Sequence, residues 1–253
     1  MNLAQRLHLA PTSEVGSSVS INRRDQILRI LTLLAVLGFA VCAYLALGFA
    51  GTDVNQGNVQ RIFYFHVSAF SAASCALFMA VVGGIAFLRT RNAAWDRLSL
   101  AGVEVGLSLS LVTLITGMVW ARPTWNTWWT WDPRLTACAI MTLTYAAYLM
   151  LRGAIENPDK RRLLAAVYGI LAFGMVIVTY AIIRIRPDTI HPTVIGPSAQ
   201  NAQGGFSMAQ SMGITLGISS LVWCCFIAPA LVWWRIRLEN LYERAQQLRV
   251  ELM

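Results

Sequence analysis

Long apolar runs broken by short polar ones set the first pattern along the chain. Six runs stand out, over residues 30–50, 62–88, 98–120, 135–151, 163–183 and 214–234. A helix rises 1.5 Å per residue, so about 20 apolar residues cross a hydrocarbon core of roughly 30 Å. Each run therefore predicts one membrane-spanning helix, the fourth being the shortest. Gly and Ser scattered through them suit helices packed against helices in lipid. The connections are short, which makes consecutive helices antiparallel neighbours. The expectation is an all-α polytopic membrane protein: one six-helix bundle over residues 1–253, with no second domain and no internal repeat. Residues 1–25 and 235–253 read as polar tails, the first lacking the apolar core of a cleavable signal.

Composition and charge agree with that pattern. The chain is 57% hydrophobic and 13% charged, against about 25% charged in soluble domains. The formal charge of +8 would suggest nucleic acid only if the cations clustered on a soluble face. Instead they lie in short runs between apolar segments, so no nucleic-acid partner is expected and lipid is the surrounding medium. Fifteen Lys and Arg fall in the two tails and in the connections after the second and fourth runs. Five, namely Arg61, Arg122, Arg134, Arg184 and Arg186, fall on the other side. By the positive-inside rule both termini face the cytoplasm.

The outer side then holds the unusual chemistry. Residues 125–136 read WNTWWTWDPRLT, with four of the nine tryptophans in seven positions. If 125–132 are helical, Trp125, Trp128, Trp129 and Asp132 share a face while Trp131 points elsewhere. Such a segment is either an interfacial anchor or a platform for a flat ligand. Trp120, Trp223, Trp233 and Trp234 are belt residues of span ends. Asp132 followed by Pro133 predicts an N-cap and a first helical residue.

His66, about one turn into the second run, and His191, between the fifth and sixth, are the two external histidines; His8 lies in the N-terminal tail. Each alone reads as an interfacial or solvated residue. Together, two neutral imidazoles approaching from opposite sides are what six-coordinate haem iron requires. Zinc, the competitor, prefers four ligands, thiolates or carboxylates among them, and no cysteine is external. The five cysteines, Cys42, Cys75, Cys138, Cys224 and Cys225, all sit in apolar runs and form no C-x-x-C, so they read as buried apolar residues. The external arginines snorkel to lipid phosphate or pair with a ligand's carboxylates. Glu104 is the single acidic residue within a run. An intramembrane carboxylate implies a partner, on another helix or another subunit.

These residues carry a resemblance. TGMVWARPTWNTWWTWDPRLT is similar to the tryptophan-rich WWD signature of the haem-handling membrane proteins of cytochrome c maturation (system I). Trp120, Pro123, Trp125, Trp128, Trp129, Trp131, Asp132, Arg134, Leu135 and Thr136 fall on it. QGNVQRIFYFHVSAF resembles the segment bearing that family's first external histidine, through Gln56, Gly57, Arg61, Ile62, Tyr64, His66 and Val67. Within the family the chain looks most like the CcmC branch. The resemblance implies a bacterial inner membrane location and a periplasmic site where haem b is bound transiently, with His66 and His191 as iron ligands. Trp120, Trp125, Trp128, Trp129, Trp131, Asp132, Arg61, Arg122 and Arg134 would surround it. It also implies delivery to the haem chaperone CcmE and work beside the ABC transporter CcmA/CcmB and the small protein CcmD. Three departures are visible: Asn126 replaces a Gly, Ser68 replaces a Pro, and TYAIIRIRPDT replaces a Trp-rich approach to His191.

The implied role is presentation of haem rather than turnover chemistry. A second reading is a cytochrome c haem lyase that forms the thioether bonds itself. The larger WWD proteins of that kind carry histidines inside their spans, and no span interior here has one. A third reading is an unrelated transporter, which would need more intramembrane charge than Glu104 provides.

Overall fold

The computed structural model describes residues 23–186, 188–193 and 208–251. The expected tail up to residue 22, including His8, and Pro187 lie outside these residues. Helix α1 is Arg23–Tyr44, prolonged by a π turn over Leu45–Phe49. A short 3-10 turn, Asn58–Arg61, leads into α2, Ile62–Thr90. Then follow α3 (Ala93–Trp125), α4 (Pro133–Ala154) and α5 (Pro158–Ile185). α6 (Gln210–Val222) passes through a π turn, Trp223–Ile227, into α7 (Ala228–Glu251). Among the described residues the one β-type pairing is an isolated bridge between Asp53 and Gly57. Six helical stretches are long and apolar enough to cross a membrane, α6 and α7 counting as one. The chain is a multi-pass helical membrane protein.

Helix ends follow local chemistry. Asn92 accepts from the Ala94 N–H at the start of α3, and Asn157 accepts from Asp159 and Lys160 N–H at the start of α5. Asp132 caps α4 with Pro133 as its first residue, as its sequence predicts. Every span runs further than its apolar stretch at one end or both. α3 continues five residues past Trp120, through Pro123, and α7 remains helical to Glu251, so most of the expected 235–253 tail is helix. Apolarity measures immersion in lipid, whereas a helix persists while its backbone bonds do.

The core gathers around α2, which packs on α3, α5 and α6. Ala69, Ala72, Ala73, Ala76 and Ala80 are buried along it, and α3 meets them with glycines. A Cβ on Gly102 would stand 2.6 Å from the Ala76 carbonyl oxygen. Such small-residue seams let backbones approach where lipid offers no hydrophobic drive to helix association. Ionic ties hold the opposite end of the bundle. Asp96, near the start of α3, accepts two hydrogen bonds from Arg152 of α4 at 2.7 and 2.6 Å, and Arg162 of α5 lies 3.7 Å away. Glu104 finds its partner within the chain, Arg235 of α7, at 2.6 Å. Of the cysteines, Cys42 and Cys138 are buried, Cys75 and Cys224 are partly covered and Cys225 is exposed. Uniform burial is therefore corrected. The flank of a membrane helix faces lipid, where a small apolar thiol needs no cover.

Candidate functional site

At the tryptophan end, a cavity of ≈ 240 Å³ opens between the start of α2, the end of α3, the start of α4, the end of α5 and the loop carrying His191. Trp120, Trp125, Trp128 and Trp129 line it together with His66, His191, Arg134 and Arg184. Their approach is irregular, because residues 126–131 are not helical. The condition under which Trp125, Trp128, Trp129 and Asp132 would share one helical face is therefore not met beyond Trp125. Asn126 adopts φ 56°, the left-handed conformation that ends a helix. Downstream, Pro133 drives Asp132 out of the helical region, to ψ 141°. Asn tolerates the left-handed region better than most residues, so Asn126 keeps the backbone that a Gly would adopt there.

Tryptophan edges meet faces within this segment. Trp120 and Trp125 are T-shaped with ring centroids 5.0 Å apart, and Trp129 and Trp131 are T-shaped at 5.9 Å. The Trp120 indole N–H donates to Gln56 Oε1 at 2.9 Å, fixing the first loop to the end of α3. Trp128 remains 54% exposed. A side chain that both lines a cavity and faces outward is open to contact from without.

The two histidines arrive from segments 125 residues apart in sequence and meet, with ring centroids 6.5 Å apart and planes at 35°. Each uses Nδ1 locally. His66 Nδ1 lies 3.0 Å from the Thr113 carbonyl oxygen, and His191 Nδ1 lies 3.0 Å from the Pro192 carbonyl oxygen. A carbonyl only accepts, so Nδ1 carries the proton in both rings and Nε2 keeps its lone pair. Gly117 makes room for this pair: a Cβ there would sit 3.0 Å from His66 Cε1. Desolvation, followed by the nearby Arg134 and His66, pushes the His191 pKa down to about 3. The imidazole is therefore neutral, which is the ligand form.

Arg134 lies beside the histidines, 5.1 Å from the Phe70 ring centroid and 5.6 Å from that of Tyr180. Among the described residues it forms no ion pair with a carboxylate. The nearby carboxylate, Asp132, accepts the Arg134 backbone N–H and hydrogen bonds from Thr189 and Ile190 rather than its guanidinium. The other proposed arginines are placed differently. Arg61 donates to the Ala46 carbonyl at 3.1 Å and also to that of Leu47, closing the end of the first span. Arg122 donates to the Asn126 carbonyl at 2.9 Å and to its side chain, closing the end of α3. Arg186 pairs with Asp188 on the surface. Trp131 is 80% exposed, and Trp131, Asp132, Arg61 and Arg122 do not line the cavity. Residues that line it without having been singled out include Phe63, Phe70, Thr113, Gly117 and Tyr180. Aromatic enrichment around His66 hinted at the first two. Thr113 and Gly117 lie on an ordinary-looking helix and gave no signal.

Two comparisons bear on this arrangement. A protein-family model described as Heme exporter protein C matches residues 14–251. "Heme exporter protein C" of Paracoccus denitrificans is 38% identical over 128 residues, 49% of this chain and 53% of that protein. Its namesake in Rhodobacter capsulatus is 39% identical over 114 residues, 44% and 47% of the two chains. A mitochondrial protein of Arabidopsis thaliana, whose name places it as ccmC-like in cytochrome c biosynthesis, is 37% identical over 110 residues, 44% of this chain and 43% of that protein. The chain thus spans about half the length of the curated relatives it matches.

Proposed function

The chain belongs to the Heme exporter protein C family, and on that premise we propose that it binds haem at this cavity and hands it on during cytochrome c maturation. The observation that carries the reading is the paired imidazoles. Both present a neutral Nε2 and both are oriented by a carbonyl on Nδ1, the arrangement that fixes tautomer and direction in metal-binding histidines. With metal–nitrogen distances of about 2 Å, one iron held by both rings would set their centres roughly 6 Å apart, against the 6.5 Å found. Among the described residues no group of three or more His, Cys, Asp and Glu gathers as a zinc site would need.

Each remaining part of haem has a counterpart. Trp120, Trp125, Trp128 and Trp129 offer flat apolar surface to the macrocycle. Arg134, lacking a carboxylate partner among the described residues, offers a bidentate cation to a propionate. The site opens beside the exposed Trp128, which leaves one edge of the bound haem within reach of an acceptor. His66 and His191 then hold the iron while a partner engages that edge. In this reading the acceptor is CcmE, the neighbours are CcmA/CcmB and CcmD, and the cavity faces the periplasm from a bacterial inner membrane. The six spans act as one domain, with His66, His191, Trp125, Trp128, Trp129 and Arg134 the residues that matter most.

The test is spectroscopic. The full chain is expressed in a haem-replete host and purified in mild detergent, and oxidised and reduced spectra are recorded. We expect a low-spin b-type spectrum that turns high-spin or weakens in His66→Ala and in His191→Ala. Trp128→Ala/Trp129→Ala should carry less haem. Wild-type protein without haem, or four identical spectra, would sink the proposal.

A further inference from the structure

Asp132 does more than a helix cap requires. Its Oδ1 accepts the Arg134 N–H at 2.8 Å, which satisfies the start of α4. The carboxylate also accepts the Thr189 hydroxyl, at 3.0 Å on Oδ1 and 2.8 Å on Oδ2, and the Ile190 N–H at 2.7 Å on Oδ2. Thr189 Oγ1 in turn accepts the His191 N–H at 3.2 Å. Asp132 is 7% exposed and Thr189 6%, so these bonds are largely shielded from competing water. Residues 188–193 have no regular secondary structure, and the Arg186–Asp188 pair is local and exposed. Among the described residues, the carboxylate supplies the hydrogen bonds that join the two residues before His191 to another part of the fold.

We infer that Asp132 is a positioning residue for His191: its carboxylate latches the His191 loop to the end of the tryptophan segment, so that platform and ligand keep one geometry. This rests on the haem reading above. The latch runs from the carboxylate through the Thr189 hydroxyl to the backbone of His191, a second layer of hydrogen bonding behind a metal-binding imidazole. Removing such a layer typically costs 10–100-fold in metal affinity. The motif position thus joins the two halves of the site without lining the cavity.

Two substitutions separate latch from cap. Asp132→Asn keeps a competent N-cap but turns an NH2 group toward two donors. Thr189→Val removes the hydroxyl at nearly constant volume and leaves the cap untouched. Thr189→Ser restores the hydroxyl. Purified full-length proteins are compared by absorption spectroscopy, by haem titration and by titration with free imidazole. Asp132→Asn and Thr189→Val should bind haem roughly tenfold more weakly and show a high-spin component, while His66 still ligates. Added imidazole should restore the low-spin spectrum in both, and Thr189→Ser should match wild type. Wild-type spectra in Thr189→Val would overturn the inference. So would loss of haem that neither imidazole nor Thr189→Ser reverses, because a general loss of structure would then be the cause. If His191→Ala itself leaves the wild-type spectrum unchanged, the haem reading fails and the latch inference falls with it.

Discussion

His66 owes its direction to what packs behind it. The Thr113 carbonyl takes its Nδ1–H, and Gly117, one turn further along α3, leaves the space in which the ring lies. Gly117→Ala would put a methyl 3.0 Å from Cε1 and 3.4 Å from Nδ1, so the ring must move by a few tenths of an ångström. The same substitution favours the helix by about 0.5–1 kcal/mol. We expect weaker haem binding with an unchanged or raised melting temperature, read by haem titration and thermal unfolding in detergent. A general packing defect would lower both together. His191 differs in its response to acid. Its pKa is pushed from 6.5 to about 3, so the folded ring stays neutral while the unfolded one takes a proton as pH falls through 6.5. Between those values the unfolded state binds more protons, and folding stability declines as pH drops. Ligation by His191 should therefore survive acidification from pH 7 to pH 5, while the unfolding free energy falls over the same interval. Absorbance and denaturant titrations at each pH check both halves.

At the scale of elements, what was legible in the sequence depended on contact range. The spans could be read because immersion in lipid imposes a run of about 20 apolar residues, and the Asp132-Pro133 start of α4 because capping is local. Residues 125–132 misled: tryptophans at i, i+3 and i+4 imitate a helical face, but Asn126 and Pro133 break the backbone on either side. The Thr113 contact to His66 spans 47 residues and the Asp132 contact to Thr189 spans 57. No pattern within one segment encodes such pairings. The same holds for Asp96 and Arg152, which lock α3 to α4 at the far end of the bundle with side-chain exposures of 6% and 13%. Removing one member of a buried pair strands the other, at about 3–5 kcal/mol. Asp96→Ala should thus destabilise the fold by about that amount, and Asp96→Ala/Arg152→Met should recover much of it. Denaturant unfolding of Asp96→Ala, Arg152→Met and the double variant measures the coupling, and a double-variant loss equal to the sum of the two single losses would reject the pair as a stabilising contact.

For the whole molecule, the two ends of the bundle are built on different principles. One end is tied by ion pairs among Asp96, Arg152, Arg162, Glu104 and Arg235. The other is held by aromatic packing, caps and the Asp132 latch, and it keeps its histidines neutral. That division matches the charge distribution, with fourteen Lys and Arg of the described residues on the first side and five on the second. Basic residues resist translocation, so the proposed role carries the expectation that the histidine cavity faces outward. The site could not work in the opposite orientation if its acceptor is periplasmic, so topology is the claim on which the proposed role depends most broadly. It can be measured directly in a background whose five cysteines are replaced by serine or alanine. Thr127→Cys lies in the tryptophan segment, and Asn92→Cys lies at the turn between α2 and α3. An impermeant maleimide added to intact spheroplasts should label Thr127→Cys and spare Asn92→Cys until the membrane is opened. The reverse pattern would place the cavity in the cytoplasm and remove the basis for handing haem to an external acceptor.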